Sequence, residues 1–229
     1  MDKNKVDGLY KEKMTRHWTS KIPGSNACLR SCKLSTIGFT RIEELYNLLF
    51  FEDFRNMLKQ KKVKIHGKKM HTPYESCLFS NKPGVSYRHA GVKYHSLIAP
   101  TIICNLLHCV CEFFQLQFNS IVVNRYIRHS ECNDYIRLHS DEEKDLTHNI
   151  VVVVTIERDV NPYFKFILQV KKTKEKFGFV IGGKEGAVMI MDGDQFQKET
   201  NHGIEHEKKR KEPSFYKECF SFTFRCMNQ

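Results

Sequence analysis

The sequence predicts an α+β protein, with helices in the first half packed on a β-sandwich or barrel built from the second half. Two observations carry this. Before Phe118, apolar residues recur at helical spacing in two stretches. After Phe118 that period is replaced by short β-branched or aromatic runs, separated by glycine or charge. A chain of 229 residues is long enough for one fold that buries roughly 70% of its unfolded surface.

Residues 1–34 are polar and basic without a clear period, and read as a disordered or loosely packed arm. Residues 35–229 are then a single domain. Thr40 with Glu43 three residues on forms a capping-box pattern that opens a helix from about Arg41 to Gln60. Ile42, Leu45, Leu49, Phe50 and Met57 fall on or near its buried side. Residues 61–95 carry glycine, proline and basic residues, and read as short strands and loops. Thr101, Asn105, His108 and Glu112 make one polar stripe on a mostly buried helix from about Leu97 to Gln115. Strands follow at Val151–Val154, Phe164–Val170, Phe177–Ile181, Ala187–Met191 and Phe215–Cys226. On the last of these, Tyr216, Phe220, Phe222 and Phe224 share a face suited to packing. Lys217, Cys219, Ser221, Thr223 and Arg225 share the other, which looks either into a cavity or into solvent.

The net charge of +11 has two readings, solubility or a polyanionic partner whose counterions lysines and arginines displace. Nine cysteines is an odd number, and the first twenty residues lack the apolar core of a signal peptide. Free thiols in a reducing compartment are expected, with a cytoplasmic location and the nucleus as the alternative. Lys208-Lys-Arg-Lys211 is either a nuclear signal or a solvated loop between strands. Cys28-x-x-x-Cys32 and Cys109-x-Cys111 lack zinc spacing with partners. No apolar run reaches about 18 residues, so no membrane partner is expected, and the chain is read as a monomer.

The most informative constellation is His139-Ser-Asp141, then His202, then Arg225. Two histidines and a carboxylate can occupy one face of an octahedral metal and leave the other open for a cosubstrate and O2, as in non-haem Fe(II) oxygenases. Asp141 lies two residues after His139, so on an extended strand their side chains share a face. The isolated H-x-D is common by chance; its order with a distal histidine and an arginine-terminated strand is not.

Neighbouring segments add to this. They are Phe118-Asn-Ser-Ile-Val-Val-Asn124-Arg-Tyr126, His139-Ser-Asp-Glu-Glu143, Gly186-Ala-Val-Met-Ile-Met191, Gln195-Phe-Gln197 ahead of Asn201-His202, and Phe220-Ser-Phe-Thr-Phe-Arg225. Together they resemble the AlkB-like 2-oxoglutarate- and Fe(II)-dependent dioxygenases. The segment before His202 is most similar to the versions embedded in RNA-virus replication proteins. The resemblance runs from about Thr36 to Arg225 and is dense after Phe118.

What the resemblance implies can be stated residue by residue. The fold would be a double-stranded β-helix (jelly-roll-like) with two N-terminal helices packed on one sheet. His139, Asp141 and His202 would hold Fe(II). Arg225 matches the second of two arginines that hold 2-oxoglutarate in the family; position 219, six residues earlier, matches the first and is Cys219. Asn124 and Tyr126 match the other contacts to the distal carboxylate. Lys217 and Ser221 share the face of Cys219, and Lys217 can reach over with its ammonium. Loss of one charge-assisted pair costs about 1.5–3 kcal/mol. The reaction implied is oxidative demethylation of alkylated nucleic acid, methylated RNA or single-stranded DNA, with RNA favoured. The rival readings are a nucleic-acid-binding module without catalysis, and a dioxygenase acting on protein side chains.

For the substrate, Tyr87, His89 and Lys93 lie in a segment resembling the family's substrate lid, where an aromatic ring stacks on a flipped base. Glu143 either reads an exocyclic amine or belongs to a solvated acidic loop. Lys61–Lys69 is a basic run that tracks a phosphate backbone or is an exposed hairpin. Ile127 to Leu138, between Tyr126 and His139, reads as a longer hairpin turn than the family has.

Overall fold

The computed structural model describes residues 19–65, 68–89, 92–129, 132–141, 146–147, 149–157, 164–180, 183–206 and 217–227. Strands β1 (Thr19–Lys21) and β2 (Cys28–Lys33) come first. Helices α1 (Ile42–Phe50) and α2 (Glu52–Met57) follow, then β3 (Lys59–Ile65), β4 (Lys68–Ser80), β5 (Ser86–His89), β6 (Val92–His95) and β7 (Leu97–Ile98). After α3 (Thr101–Phe114) come β8 (Ser120–His129), β9 (Cys132–Asn133), β10 (Ile136–His139), β11 (Val151–Glu157), β12 (Phe164–Val170), β13 (Lys176–Val180) and β14 (Ala187–Met191). A short α4 (Gly193–Glu199) leads into β15 (Thr200–His206) and β16 (Lys217–Arg225).

Two sheets face each other. The larger runs β1-β2-β14-β11-β16-β8-β4-β3 and the smaller β10-β15-β12-β13. From β10 to β16 the chain passes repeatedly between them, which makes the sandwich a jelly roll. Side-chain alternation gives the larger sheet two different faces. Val152, Val154, Phe220, Phe222 and Phe224 point outward and pack with Leu45, Leu49, Ile103, Leu106 and Phe114 of α1 and α3. Val151, Val153, Met189 and Met191 point inward against Phe164, Phe166, Leu168 and Ile204 of the smaller sheet.

Several expectations need correction. Residues 19–33, read as part of an arm, form a hairpin, and β2 pairs with β14 from Leu29↔Met191 to Lys33↔Ala187. This strand was hidden because only Ile22, Ala27 and Leu29 of the hairpin are buried. The expected helix 41–60 is broken at Phe51, whose ψ of 130° is extended. The break re-aims the second half, so Phe54 is buried while Met57 stays 43% exposed. Thr40 does not cap this helix: Arg41 holds the N-cap position and pairs with Glu44. The second helix starts at Thr101 because Pro100 disfavours helical geometry before it and lacks the N–H to continue one. The expected hairpin at 127–138 is formed by the end of β8 paired antiparallel with the short β9, and β10 follows it.

Residues 61–95 contain the expected short strands β5 and β6, but also one long strand, β4. At Pro73 the β3–β4 register slips, with Gln60↔Glu75 followed by Lys62↔His71. Proline has no N–H for the ladder, so the strand bulges there. The Lys61 N–H donates instead to Thr72 Oγ1 at 2.9 Å, and the Tyr135 N–H takes the Pro73 carbonyl at 3.2 Å. Of the nine cysteines, the eight whose side chains are described are free thiols. No helix among the described residues is long and apolar enough to cross a membrane.

Candidate metal centre and cosubstrate cavity

His139 closes β10 and is paired in register with His202 on β15. Paired residues of an antiparallel ladder project to the same side, which brings the two imidazoles together with ring centroids 4.4 Å apart. The close approach depends on Gly203. A Cβ there would stand 2.5 Å from the Ile136 carbonyl oxygen, inside β10's own backbone. Asp141 follows the strand end and folds under both rings. Its Oδ2 lies 3.4 Å from His202 Nε2 and its Oδ1 3.7 Å from His139 Nε2.

One ligand atom from each residue lies within 4.8 Å of the other two. Three neighbouring ligands on one ion at about 2.0–2.2 Å stand about 3 Å apart, so small inward movements suffice. The donor chemistry fits a divalent cation. Asp141 Oδ2 is buried and has no hydrogen-bond partner among the described residues. His139 Nδ1 is 2.9 Å from the Arg137 carbonyl, which as acceptor puts the proton on Nδ1 and leaves Nε2 free to ligate. Phe166 lies nearly parallel to the His202 ring at 5.6 Å and limits its rotation.

The loop carrying Asp141 is itself secured. The Asp141 N–H donates to Gln197 Oε1 at 2.8 Å, and Gln197 is fully buried. Lys171 Nζ donates to the Gln197 carbonyl at 2.7 Å and to Ser140 Oγ at 3.4 Å.

Arg225 ends β16 on the inner face. Its Nη2 donates to Asp141 Oδ1 at 2.6 Å and its Nη1 to the Tyr87 hydroxyl at 2.5 Å. Burial alone would raise the Asp141 carboxyl; Arg225, then His202 and His139, outweigh it and hold Asp141 well below the ordinary carboxylate range. The ligand is therefore an anion before any metal arrives. From here a narrow cavity of about 60 Å³ extends between the sheets. Along its floor, Ser221 Oγ accepts from Asn124 Nδ2 at 3.3 Å and lies 3.1 Å from the Tyr126 hydroxyl. These three meet because β8 and β16 pair Asn124↔Ser221 and Tyr126↔Cys219.

No protein-family model and no curated protein matches the sequence. Solved structures do. OsALKBH1 superposes with a TM-score of 0.53 at 11% identity, covering 91% of this chain and 100% of that one. IDO from Bacillus thuringiensis gives 0.54 at 11% identity, over 100% and 98%. An oxidoreductase of the 2OG-Fe(II) oxygenase family from Burkholderia pseudomallei gives 0.49 at 11% identity, over 95% and 90%. The chain therefore shares the fold of OsALKBH1 and of IDO from Bacillus thuringiensis.

Within this fold, His139, Asp141, His202, Asn124, Tyr126, Ser221, Arg225 and Tyr87 line one cavity. Lys217 does not line it; it is buried beyond Cys219, paired in register with Arg128. Cys219 is fully buried opposite Tyr126 and Glu157. Lys93 is exposed, while its neighbour Tyr94 is buried and faces the cavity. His89 ends β5, and its side chain lies outside the described residues, as do Glu143, His66, Gly67 and Lys208–Lys211.

Sequence reasoning missed Tyr74, Ser76 and Tyr94, which complete the wall, and Gln197 and Lys171, which hold the Asp141 loop. Ser76 pairs with Asn124 across β4–β8. The alternation Tyr74, Ser76, Leu78 was the available signal, obscured because Pro73 argued against a continuous strand. Gln197 lay in a quoted motif with no role attached.

Proposed function

We propose that the chain is an AlkB-like Fe(II)- and 2-oxoglutarate-dependent dioxygenase that demethylates alkylated nucleic acid bases, with RNA the favoured substrate. The observation that carries the oxygenase reading is the convergence of His139, Asp141 and His202 beside Arg225 at the mouth of one inter-sheet cavity. Iron with 2-oxoglutarate and O2 supplies the oxidation of an N-methyl carbon, which then leaves as formaldehyde while the cosubstrate becomes succinate and CO2.

The chain's own residues do the rest. The two histidines and Asp141 would hold the ion. Arg225 offers a two-nitrogen fork for the carboxylate nearest the ion, already oriented by Asp141 and Tyr87. Asn124, Tyr126 and Ser221 receive the far end. Val153, Phe166, Met191 and Ile204 make the rest of the wall apolar and exclude bulk water.

Support for a nucleic-acid substrate comes from three sources. The net charge is +11. Lys61 of β3 holds its ammonium 5.5 Å over the ring of Tyr94, a cavity residue, so the basic strand adjoins the site. An apolar slot lined by Met70, Pro73, Tyr74, Tyr135 and Leu138 opens beside His139, and flat rings of this kind stack on bases. RNA, and kinship to the viral versions, rest on the likeness of residues 186–225. Cys219 favours a second reading, a nucleic-acid-binding module without turnover. Succinate and formaldehyde release from iron-loaded protein with methylated RNA, DNA and peptide substrates separates the readings. Release with RNA alone supports the proposal, and release with none of them leaves the binding module.

A further inference from the structure

The metal cavity has a charged end and a neutral end. Arg225, beside the metal ligands, is the one lysine or arginine among the described residues that line it. Ser221 stands four residues away on the same strand, about 13 Å. There the polar groups are the Asn124 amide and the Ser221 and Tyr126 hydroxyls, joined by hydrogen bonds of 3.3 and 3.1 Å. Tyr126 and Ser221 are 0% and 1% exposed. One ladder step further, Cys219 is fully buried with Tyr126 on one side and Glu157, itself buried, on the other. Burial pushes the Cys219 thiol and the Tyr126 hydroxyl well up, so both remain neutral. Neither Lys217 nor Arg128 reaches the lining.

A dicarboxylate placed with one carboxylate at Arg225 therefore meets hydrogen bonds without a counter-charge at the other. This matters for selectivity. A guanidinium only donates, and its gain depends on the partner's negative charge. Hydroxyls and an amide also donate to a neutral carbonyl, each bond weaker than one to a carboxylate but without the cost of burying an uncompensated charge, and they gain nothing beyond their mutual bonds from an apolar partner.

We propose that the distal end of the 2-oxoacid cosubstrate is held by the neutral trio Asn124, Tyr126 and Ser221, so that this site accepts 2-oxoacids with an uncharged polar distal group. The inference rests on the 2-oxoglutarate-dependent reading above and adds to it the class of acid the site takes.

The test is calorimetric titration of the full chain loaded with Zn(II), which binds cosubstrate without turnover. Three ligands are compared: 2-oxoglutarate, 2,5-dioxohexanoate, whose distal methyl ketone keeps an oxygen but no charge, and 2-oxopentanoate, whose distal group is a methyl. The ketone is expected to bind within about tenfold of 2-oxoglutarate, and 2-oxopentanoate more than about tenfold more weakly than the ketone. Tyr126→Phe is expected to weaken 2-oxoglutarate and the ketone alike while leaving 2-oxopentanoate unchanged. A preference for 2-oxoglutarate over the ketone beyond about tenfold shows a cation at the inner end and overturns the proposal, leaving the cosubstrate reading intact. Equal binding of 2-oxopentanoate and the ketone, or equal losses of all three in Tyr126→Phe, also overturns it. Absence of heat with every ligand while zinc stays bound overturns the cosubstrate reading itself.

Discussion

Asp141 faces two cationic partners in turn, a guanidinium always and a metal when loaded. With its side chain 1% exposed, its charge depends on Arg225 while no metal is bound. Arg225→Gln keeps the volume and removes the charge. The metal-free protein should lose about 3 kcal/mol in denaturant titration, because a buried carboxylate is left without its partner. Adding a divalent ion should raise the variant's Tm more than the wild type's, since the ion then supplies the missing charge and no longer meets Arg225's. Turnover of 2-oxoglutarate should be lost. An equal metal shift in both proteins, with normal turnover, would show that Arg225 acts elsewhere. Cys219→Arg is the complementary change, and should raise the preference for 2-oxoglutarate over uncharged 2-oxoacids about tenfold or more, read by the same calorimetry. The candidate ligands could be picked out in the sequence because side-chain chemistry and spacing limit what can bind a metal. The distal partners were only half legible: Lys217 shares the face of Cys219, but the cavity ends at Ser221 before reaching it.

At the scale of the element, the metal site depends on how closely β10 lies on β15. Gly203→Ala places a carbon where the Ile136 carbonyl now stands, so one strand has to move. Such overpacking costs about 1–3 kcal/mol. It should also spread His139 from His202, lowering metal affinity about tenfold in calorimetric titration, a step of about 1.4 kcal/mol. Gly178→Ala in β13 is the control, because its Cβ would meet Ile167 at an ordinary 3.5 Å. Equal metal affinity in both variants would refute the role of Gly203. The strands β12 and β14 were read with their exact bounds because a buried strand shows its apolar alternation directly, as in the Phe164–Val170 pattern. The break at Phe51 was not, because apolar spacing runs on through it from Phe50 to Phe54. The turn there is decided by which face meets the sheet.

At the scale of the whole molecule, charge and metal set the remaining expectations. If Lys59, Lys61 and Lys62 lie along an RNA backbone, replacing all three with glutamine should flatten the log–log salt dependence of RNA binding by about 2, at about 0.7 per phosphate. An unchanged slope places the RNA elsewhere, and a flat slope in the wild type removes nucleic acid as the partner. Metal at a hundredfold excess over its Kd should stabilise the fold by about 2.7 kcal/mol, lost on chelation and read as a Tm shift. Because the ligands come from β10, the loop after it and β15, that shift reports on the smaller sheet and its closure over the larger.

The run of strands after Phe118, and the composition of His139-Ser-Asp141, His202 and Arg225, were legible in the sequence alone. Periodicity reports which side chains are buried, and only a few side chains ligate metal. Three things were decided by tertiary structure. The hairpin at residues 19–33 becomes part of the sheet because β14 has an edge for it, not because its own composition is that of a strand. Tyr74 enters the cavity because a bulge at Pro73 sets its direction. Among the described residues lining the cavity, the inner end carries no cation because register, not spacing along the chain, places Cys219 between Tyr126 and Glu157. Each is a contact between residues far apart in the chain, and local pattern carries no information about which distant backbone a residue will face.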